Sequence, residues 1–388
     1  MNRERRKNWQ SKMKKGFTLV EFMIGSSIMI VLIIGALSLY VSSNKIAVDQ
    51  REYTELQHNV RATMFFVSRD VRSTGVGLDA NIAGYFLEGQ DGYGPGVEAS
   101  DYIKLLGNFG EQVGLKIEDY SGSASTAFLY DWELEHAPYD CPEFYENKVF
   151  LIVSTTCPGC FAYRFIPSNS MFGCGSGTAH FNFQPGKSDL NPPGGLSDTN
   201  CSDDCYDDAI VTIGQVIQYW LDTTGNPGDY PDLNLTVGNQ GYLGVANTLY
   251  MSTIDNTGNM LHRPLAHDIE NLQFRYNGDF DDDGNLDGFV DWDNQNWTIL
   301  PGDDSATKQA KMDIISRIRQ VRIWVLGCTK KAFVGKKGSP SSNIHLYRRP
   351  AVANSPAASQ DDNHRRFLLT SVSNIRNLSL NLYNMGTR

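Results

Sequence analysis

Apolar and polar positions fall into three patterns along this chain. From Phe17 to Tyr40 the run FTLVEFMIGSSIMIVLIIGALSLY is almost wholly apolar, broken by one acid, Glu21. These 24 residues would span roughly 36 Å as a helix at 1.5 Å per residue, enough to cross a hydrocarbon core of about 30 Å. Beyond Tyr40 the pattern changes. Tyr53, Leu56, Val60, Met64, Val67 and Val71 recur at steps of three and four, one apolar stripe on a helix whose other faces are polar. Such a stripe is first of all a packing face, so it is read as the side that docks on a globular domain. Arg69 and Arg72 in the last turn and Gly75 and Gly77 after it are helix stop signals, and they predict a helix from about Phe17 to Thr74.

From about residue 100 the period shortens, and β-rich runs are separated by Gly, Pro, Asn and Asp. They are Tyr102–Leu106, Val149–Val153, Ala209–Leu221, Leu272–Tyr276, Arg319–Leu326 and Arg366–Val372. A long helix followed by many short strands predicts an α+β fold, with an antiparallel sheet packed on the helix. Residues 121–205 read as loop-rich and hold most of the cysteines, an elaboration on that sheet. The expected organisation is a basic leader over 1–16, the long helix over 17–76 with 17–40 crossing a membrane, and a β-rich body over 77–388 with a cysteine-rich insertion at about 130–205.

Charge sets the orientation. The first sixteen residues carry seven basic side chains against Glu4 alone, a net +6, so that the rest of the chain stands at −16 within a total of −10. Basic residues ahead of a membrane-length run favour a cytoplasmic N-terminus, which places the body in the periplasm or outside the cell. A body this acidic is not expected to make broad contact with nucleic acid. The processing site suggested by Lys14-Lys15-Gly16-Phe17 precedes the apolar run rather than following it, so the helix would survive cleavage. Glu21 is costly at membrane depth, on the order of 2.5–3.5 kcal/mol or more, and needs a partner. Cleavage between Gly16 and Phe17 would create an α-amine one helical turn away, on the same helix or on a neighbouring one. The alternative is a simple signal anchor whose Glu21 snorkels.

The segment KKGFTLVEFMIG closely resembles the type III signal of type IV prepilins: basic residues, Gly before the cut, Phe first in the mature chain and Glu at its fifth position. The resemblance implies that Gly16 is read by a prepilin peptidase, that Phe17 becomes N-methylated, and that Glu21 neutralises a neighbouring N-terminus in a filament. Four further stretches resemble the PilW minor pilins, relatives of the J-type pseudopilins of type II secretion. They are LQHNVRATMFFVSRDVRSTG (56–75), the run from TLYMSTID to DDDGNLDG (248–288), RIRQVRIWVLG (317–327) and RRFLLTSVSNIRNL (365–378). Together with the N-terminus they cover roughly a third of the chain. What the resemblance implies is a pilin-like fold and an inner-membrane subunit that passes into a pilus at the cell surface. Its partners would be other minor and major pilins, the peptidase and a tip adhesin. The cysteine-rich stretch departs from the family.

Two motifs suggest chemistry of their own. Asp279, Asp281 and Asp283 alternate, Gly284 allows a sharp turn, and Asn285 and Asp287 follow, which is the first half of an EF-hand-like calcium loop. The twelfth position is Val290, so Asp291 or Asp293 would have to close the site; the alternative is a solvated acidic turn. Of seven cysteines, Cys141, Cys157, Cys160, Cys174, Cys201 and Cys205 lie within 65 residues, and in an oxidising compartment disulfides are the default. Cys157-Pro-Gly-Cys160 sits between strand-like runs, which favours a turn or structural disulfide over a redox motif; a zinc site from Cys157, Cys160, Cys201 and Cys205 is a further alternative. Cys328 ends the strand RIWVLGC as a buried thiol. Lys330, Lys331, Lys336, Lys337, Arg348 and Arg349 form a basic run read as a solvated loop. The sequence holds no hydrolase elbow, HExxH helix, P-loop or haem-attachment motif, and no enzyme is expected. The leading reading is a subunit that initiates or caps a type IV pilus. Alternatives are a J-type pseudopilin, a tip-binding module and a membrane-anchored thiol oxidoreductase.

Overall fold

The computed structural model describes residues 18–76, 84, 86–96, 99–107, 114–121, 126–130, 148–154, 156–157, 161–166, 172–175, 178–182, 202–213, 215–233, 235–254, 260–300, 303–330, 347–362 and 364–375. The chain divides into two compact units between Thr54 and Glu55. One continuous helix, α1 (Leu19–Ser73), runs through that division, 55 residues long and within two residues of the predicted ends at both termini.

In the first unit the apolar side chains of α1 point outward: Leu19, Phe22, Ile30 and Leu39 are all more than half exposed. Nothing in the sequence gives this stretch a polar face, and burial inside its own chain is not what it is built for. In the second unit Leu56, Val60, Met64, Val67 and Val71 are buried, while Tyr53, which heads the stripe from the first unit, is half-buried. Each such side chain gains roughly 1.5–3 kcal/mol on leaving water. Thr63, Ser68 and Asp70 join this face, which period and hydrophobicity alone did not select. Asp70 is buried because it is paired, accepting from the Tyr219 hydroxyl at 2.6 Å and from Arg69 Nε at 2.7 Å.

The helix stops where the stop signals place it. Gly75 adopts φ +76°, a Cβ there would lie 2.4 Å from the Phe86 ring, and its N–H donates to the Leu106 carbonyl at 2.8 Å. Gly77 lies outside the described residues. The body then lays down β1 (Leu87–Tyr93), β2 (Ser100–Gly107), β3 (Gly114–Ser121), β4 (Thr126–Leu129), β5 (Lys148–Val153) and β6 (Phe161–Ile166). After these come β7 (Phe172–Gly175), β8 (Thr178–Asn182), β9 (Ile210–Ile213), β10 (Gln215–Asp222), β11 (Thr248–Ile254) and β12 (Met260–His267). The last elements are β13 (Ile269–Gly278), α2 (Ser305–Ser316), β14 (Ile318–Cys328), β15 (Tyr347–Arg348), β16 (Asp361–Asp362) and β17 (Arg366–Asn374).

These strands pair antiparallel into a five-stranded sheet (β1-β2-β10-β11-β12), a three-stranded sheet (β13-β14-β17), a seven-stranded sheet (β6-β5-β9-β3-β4-β8-β7) and the small β15-β16 pair. The α+β expectation is therefore met. Two details differ from the sequence reading. Ala209–Leu221 is not one strand but two, β9 and β10, which belong to different sheets. The region read as loop-rich supplies β4 to β8, five strands of a seven-stranded sheet completed by β3 and β9. Strands of four to six residues between Gly and Cys carry too few positions for an alternation to show.

The five- and three-stranded sheets are stitched by side chains rather than by a ladder. Leu272 N donates to Ser100 Oγ, Phe274 N to Asp101 Oδ2 at 2.7 Å, and Gln273 Nε2 to the Ala99 carbonyl. Burial drives the Asp101 carboxyl well above the usual carboxylate range, and the backbone amides of Phe274 and Gly92 oppose that shift. Against the helix, Gly327 of β14 permits close approach, since a Cβ there would fall 2.5 Å from Leu56 Cδ1 and 2.6 Å from Val60 Cγ2.

Candidate functional site

At the start of α1, Thr18 and Glu21 close a reciprocal cap. Glu21 N donates to Thr18 Oγ1 at 3.3 Å, while Glu21 Oε2 accepts from Thr18 N at 3.0 Å and from Thr18 Oγ1 at 2.9 Å. This is a capping box: a Thr at the N-cap and a Glu three residues on satisfy two of the amides that a helix start leaves open. The sequence reading treated Glu21 only as a charge in need of an amine. The signature is present in the sequence as Thr-x-x-Glu in TLVE, at the head of the membrane-length run. Gly16 and Phe17, the expected cleavage point, lie outside the described residues. The helix that follows is long and apolar enough to cross a membrane.

The acidic loop leaves β13 at Gly278 and returns at Val290, which exchanges hydrogen bonds with Tyr276 at 2.8 Å in both directions. Within it Asp279, Asp281 and Asp283 each offer a carboxylate oxygen, and the three oxygens lie within 4.8 Å of one another. Backbone amides hold them there: Asp283 N and Gly284 N donate to the two oxygens of Asp279, and Asn285 N donates to Asp283 Oδ1. Asp282 and Gly284 take positive φ, 64° and 85°, which folds the loop tightly enough for the alternate carboxylates to converge. Asp287 is engaged nearby, accepting from Phe280 N at 2.6 Å. Asp291 is not brought into this group. Both its oxygens accept from the Arg275 guanidinium, at 2.6 and 3.0 Å. The loop leads into an aromatic cluster in which Trp297 packs on Phe280, Trp292 and Tyr276.

Cys157 is bonded to Cys205, 48 residues on, so the Cys157–Cys160 pair is not itself a disulfide and the four-cysteine zinc arrangement does not form. Ser154, fully buried, fastens both ends by accepting from Cys157 N at 2.8 Å and donating to the Cys205 carbonyl. Cys141, Cys160 and Cys201 lie outside the described residues, and of Cys174 only its place in β7 is described. Cys328 is a free thiol, half-buried rather than fully buried; desolvation pushes its pKa up to about 12, which leaves it a poor nucleophile.

Where it is described the basic run is solvent-facing at Lys330 and Arg348 but buried at Arg349. Arg349 is only 3 % exposed and donates to Ser355 Oγ and the Pro356 carbonyl, Arg348 pairs with Asp361, and Lys330 pairs with Asp268. Its charge is answered within the chain. Lys331, Lys336 and Lys337 lie outside the described residues.

Fold and site together define a class: an α+β chain on a single long helix, half of it exposed and apolar, with a capped carboxylate at its start. No protein-family model matches the chain, and no curated protein matches it. Among solved structures it is similar to a type IV-like pilin from Thermus thermophilus at 9 % identity, over 83 % of this chain and 98 % of that one, with a TM-score of 0.30. That overlap is loose, and the functional reading rests on this chain's own residues.

Proposed function

We propose that this chain is a minor pilin: a prepilin cut after Gly16, held in the inner membrane by α1 with its body outside the cytoplasm, then built into a type IV pilus that it helps to initiate or caps. One observation carries the reading. The first unit of α1 exposes apolar side chains on every side and has a carboxylate, Glu21, at its head, directly after the sequence Lys14-Lys15-Gly16-Phe17. A helix of that kind is stable in lipid or among copies of itself, and the acid at its start suits pairing with a neighbour's terminal amine. Within this class the four stretches quoted above support a PilW-like subunit over other pilins, and a J-type pseudopilin is the nearest alternative. Other pilins and a prepilin peptidase are the partners so implied. Nothing in the residues supports catalysis.

The experiment is mass spectrometry of the chain from membranes. The parent should begin at Phe17, N-methylated, and Gly16→Ala should leave the leader attached, because the peptidase must fit a backbone without a side chain at the cut. A Gly16→Ala chain that still begins at Phe17 sinks the reading.

We further propose that the acidic loop holds calcium through Asp279, Asp281, Asp283, the Asn285 carbonyl and Asp287. Convergence of three carboxylates supports it, because like charges this close repel one another unless a cation answers them. With Asp291 engaged by Arg275, the remaining coordination would fall to water. Saturation at 100 times the dissociation constant adds about 2.7 kcal/mol by mass action. The melting temperature should therefore rise in millimolar calcium over chelator, and Asp281→Ala with Asp283→Ala should abolish the rise. Indifference of the parent to calcium ends the proposal.

A further inference from the structure

Between α1 and β17 lies an open groove of about 680 Å³, lined by Arg61, Phe65, Arg69 and Arg72 from the helix and by Leu369 and Ser371 from the strand. Its chemistry runs against the rest of the molecule. The body after the leader carries a net charge of −16, yet three arginines gather here within twelve residues of helix. All three are exposed. Arg61 lies over the Phe367 ring and Arg69 uses its Nε on Asp70. Beside them Phe65 is 64 % exposed, although it sits in the half of the helix that packs on the body.

The wall opposite is a sheet edge. β17 ends the three-stranded sheet and pairs with β14 alone among the described residues, in an unbroken register from Gln320↔Asn374 to Cys328↔Arg366. Edges of this kind are normally blunted by charges, proline, bulges or brevity. This one has nine residues and no proline, lysine or bulge. Its single charge, Arg366, is turned to Glu270 and Asp362. Side chains on the face away from the helix include Leu368 and Val372, 38 % and 42 % exposed. A long, flat edge of backbone donors and acceptors beside a basic, partly apolar groove has the form of a strand-addition site.

We propose that this groove receives an acidic, extended segment of a partner protein, which adds as a strand to the edge of β17 that no described strand pairs with. Carboxylates at every second position of the segment meet Arg61, Arg69 and Arg72. The apolar side chains that alternate with them lie on the opposite face, beside Leu368 and Val372. The backbone supplies the affinity, and the charge pattern supplies the choice of partner. The proposal does not depend on the filament reading, because it needs only the edge and the groove.

The test uses the full chain in detergent and a fluorescent nine-residue peptide alternating Glu with Val, read by anisotropy. Companion peptides replace Glu by Lys, or carry N-methyl groups on one or the other alternate set of amides. The Glu peptide should bind and weaken with added salt, while the Lys peptide should not bind. One N-methylated peptide should fail and the other bind, because only alternate amides of an added strand face the edge. Arg61→Glu with Arg72→Glu should weaken binding about tenfold or more, roughly 1.4 kcal/mol, with an unchanged melt as proof of folding. No binding of the Glu peptide, equal binding of the Lys peptide, or indifference to both methylation patterns overturns the proposal.

Discussion

Thr18 and Glu21 give one carboxylate two tasks. Within a single chain Glu21 caps its own helix, and in an assembly it would also have to attract a neighbouring amine. The two tasks separate by mutation. Thr18→Ala removes the reciprocal hydroxyl and should cost about 1 kcal/mol of local helix stability while keeping the charge. Glu21→Val removes both. We expect Glu21→Val to insert into membranes as well as the parent or better and to be lost from filaments, and Thr18→Ala to be retained in them. Quantifying both variants in membrane and sheared-filament fractions decides the matter; full incorporation of Glu21→Val would leave the acid a cap and nothing more. Asp70 carries a related lesson. Its charge hid it from a reading based on hydrophobic period, and only the structure brings the Tyr219 hydroxyl within reach to make its burial tolerable.

Among the elements, the seven-stranded sheet is held by a covalent tie. Cys157 follows β5 and Cys205 precedes β9, neighbours in that sheet, so the bond closes 48 residues of chain that include β6, β7 and β8. In the chain-entropy picture a loop of this length contributes about 4 kcal/mol, and 2–4 kcal/mol is typical. Reduction, or Cys157→Ser with Cys205→Ser, should lower the melting temperature of this sheet and leave the packing of α1 on the body intact. Hydrogen exchange resolved by element would show the difference, and equal loss of protection everywhere would refute it. The pairing itself was beyond the sequence, since six clustered cysteines allow 15 pairings. The long helix was legible almost to the residue because its stripe, its apolar run and its glycine stop agree. The insertion's short strands were not, for their order depends on partners far along the chain.

Taken as a whole molecule, the body has an acid-sensitive interior. His262 is fully buried and shares a 2.7 Å hydrogen bond with Ser252 through Nδ1, and among the described residues its Nε2 has no partner. Desolvation lowers its pKa from 6.5 to about 4. The unfolded chain thus binds a proton near pH 6.5 that the folded chain refuses until about pH 4, so this residue's contribution to stability is complete above 6.5 and is lost as pH falls through that window. Asp101, with its raised pKa, contributes in the opposite sense. The comparison must therefore be between the parent and His262→Leu. Their difference in unfolding free energy should change between pH 6.5 and 4 and level off outside, and a constant difference would show that His262 does not titrate there.

The break between β9 and β10 has a mechanical consequence. These two strands are consecutive in the chain but belong to different sheets, as do β2 and β3, so a pull on the seven-stranded sheet enters the five-stranded one at the paired ends of β10 and β2, Gln215 and Gly107. There β10 lies between β2 and β11, in register with each over five or six successive residues. Load applied lengthwise to a central strand acts in shear, so its hydrogen bonds resist together instead of unzipping one at a time. The wide sheet that carries the cysteines is thus fastened to the helix-bearing core by a joint suited to tension.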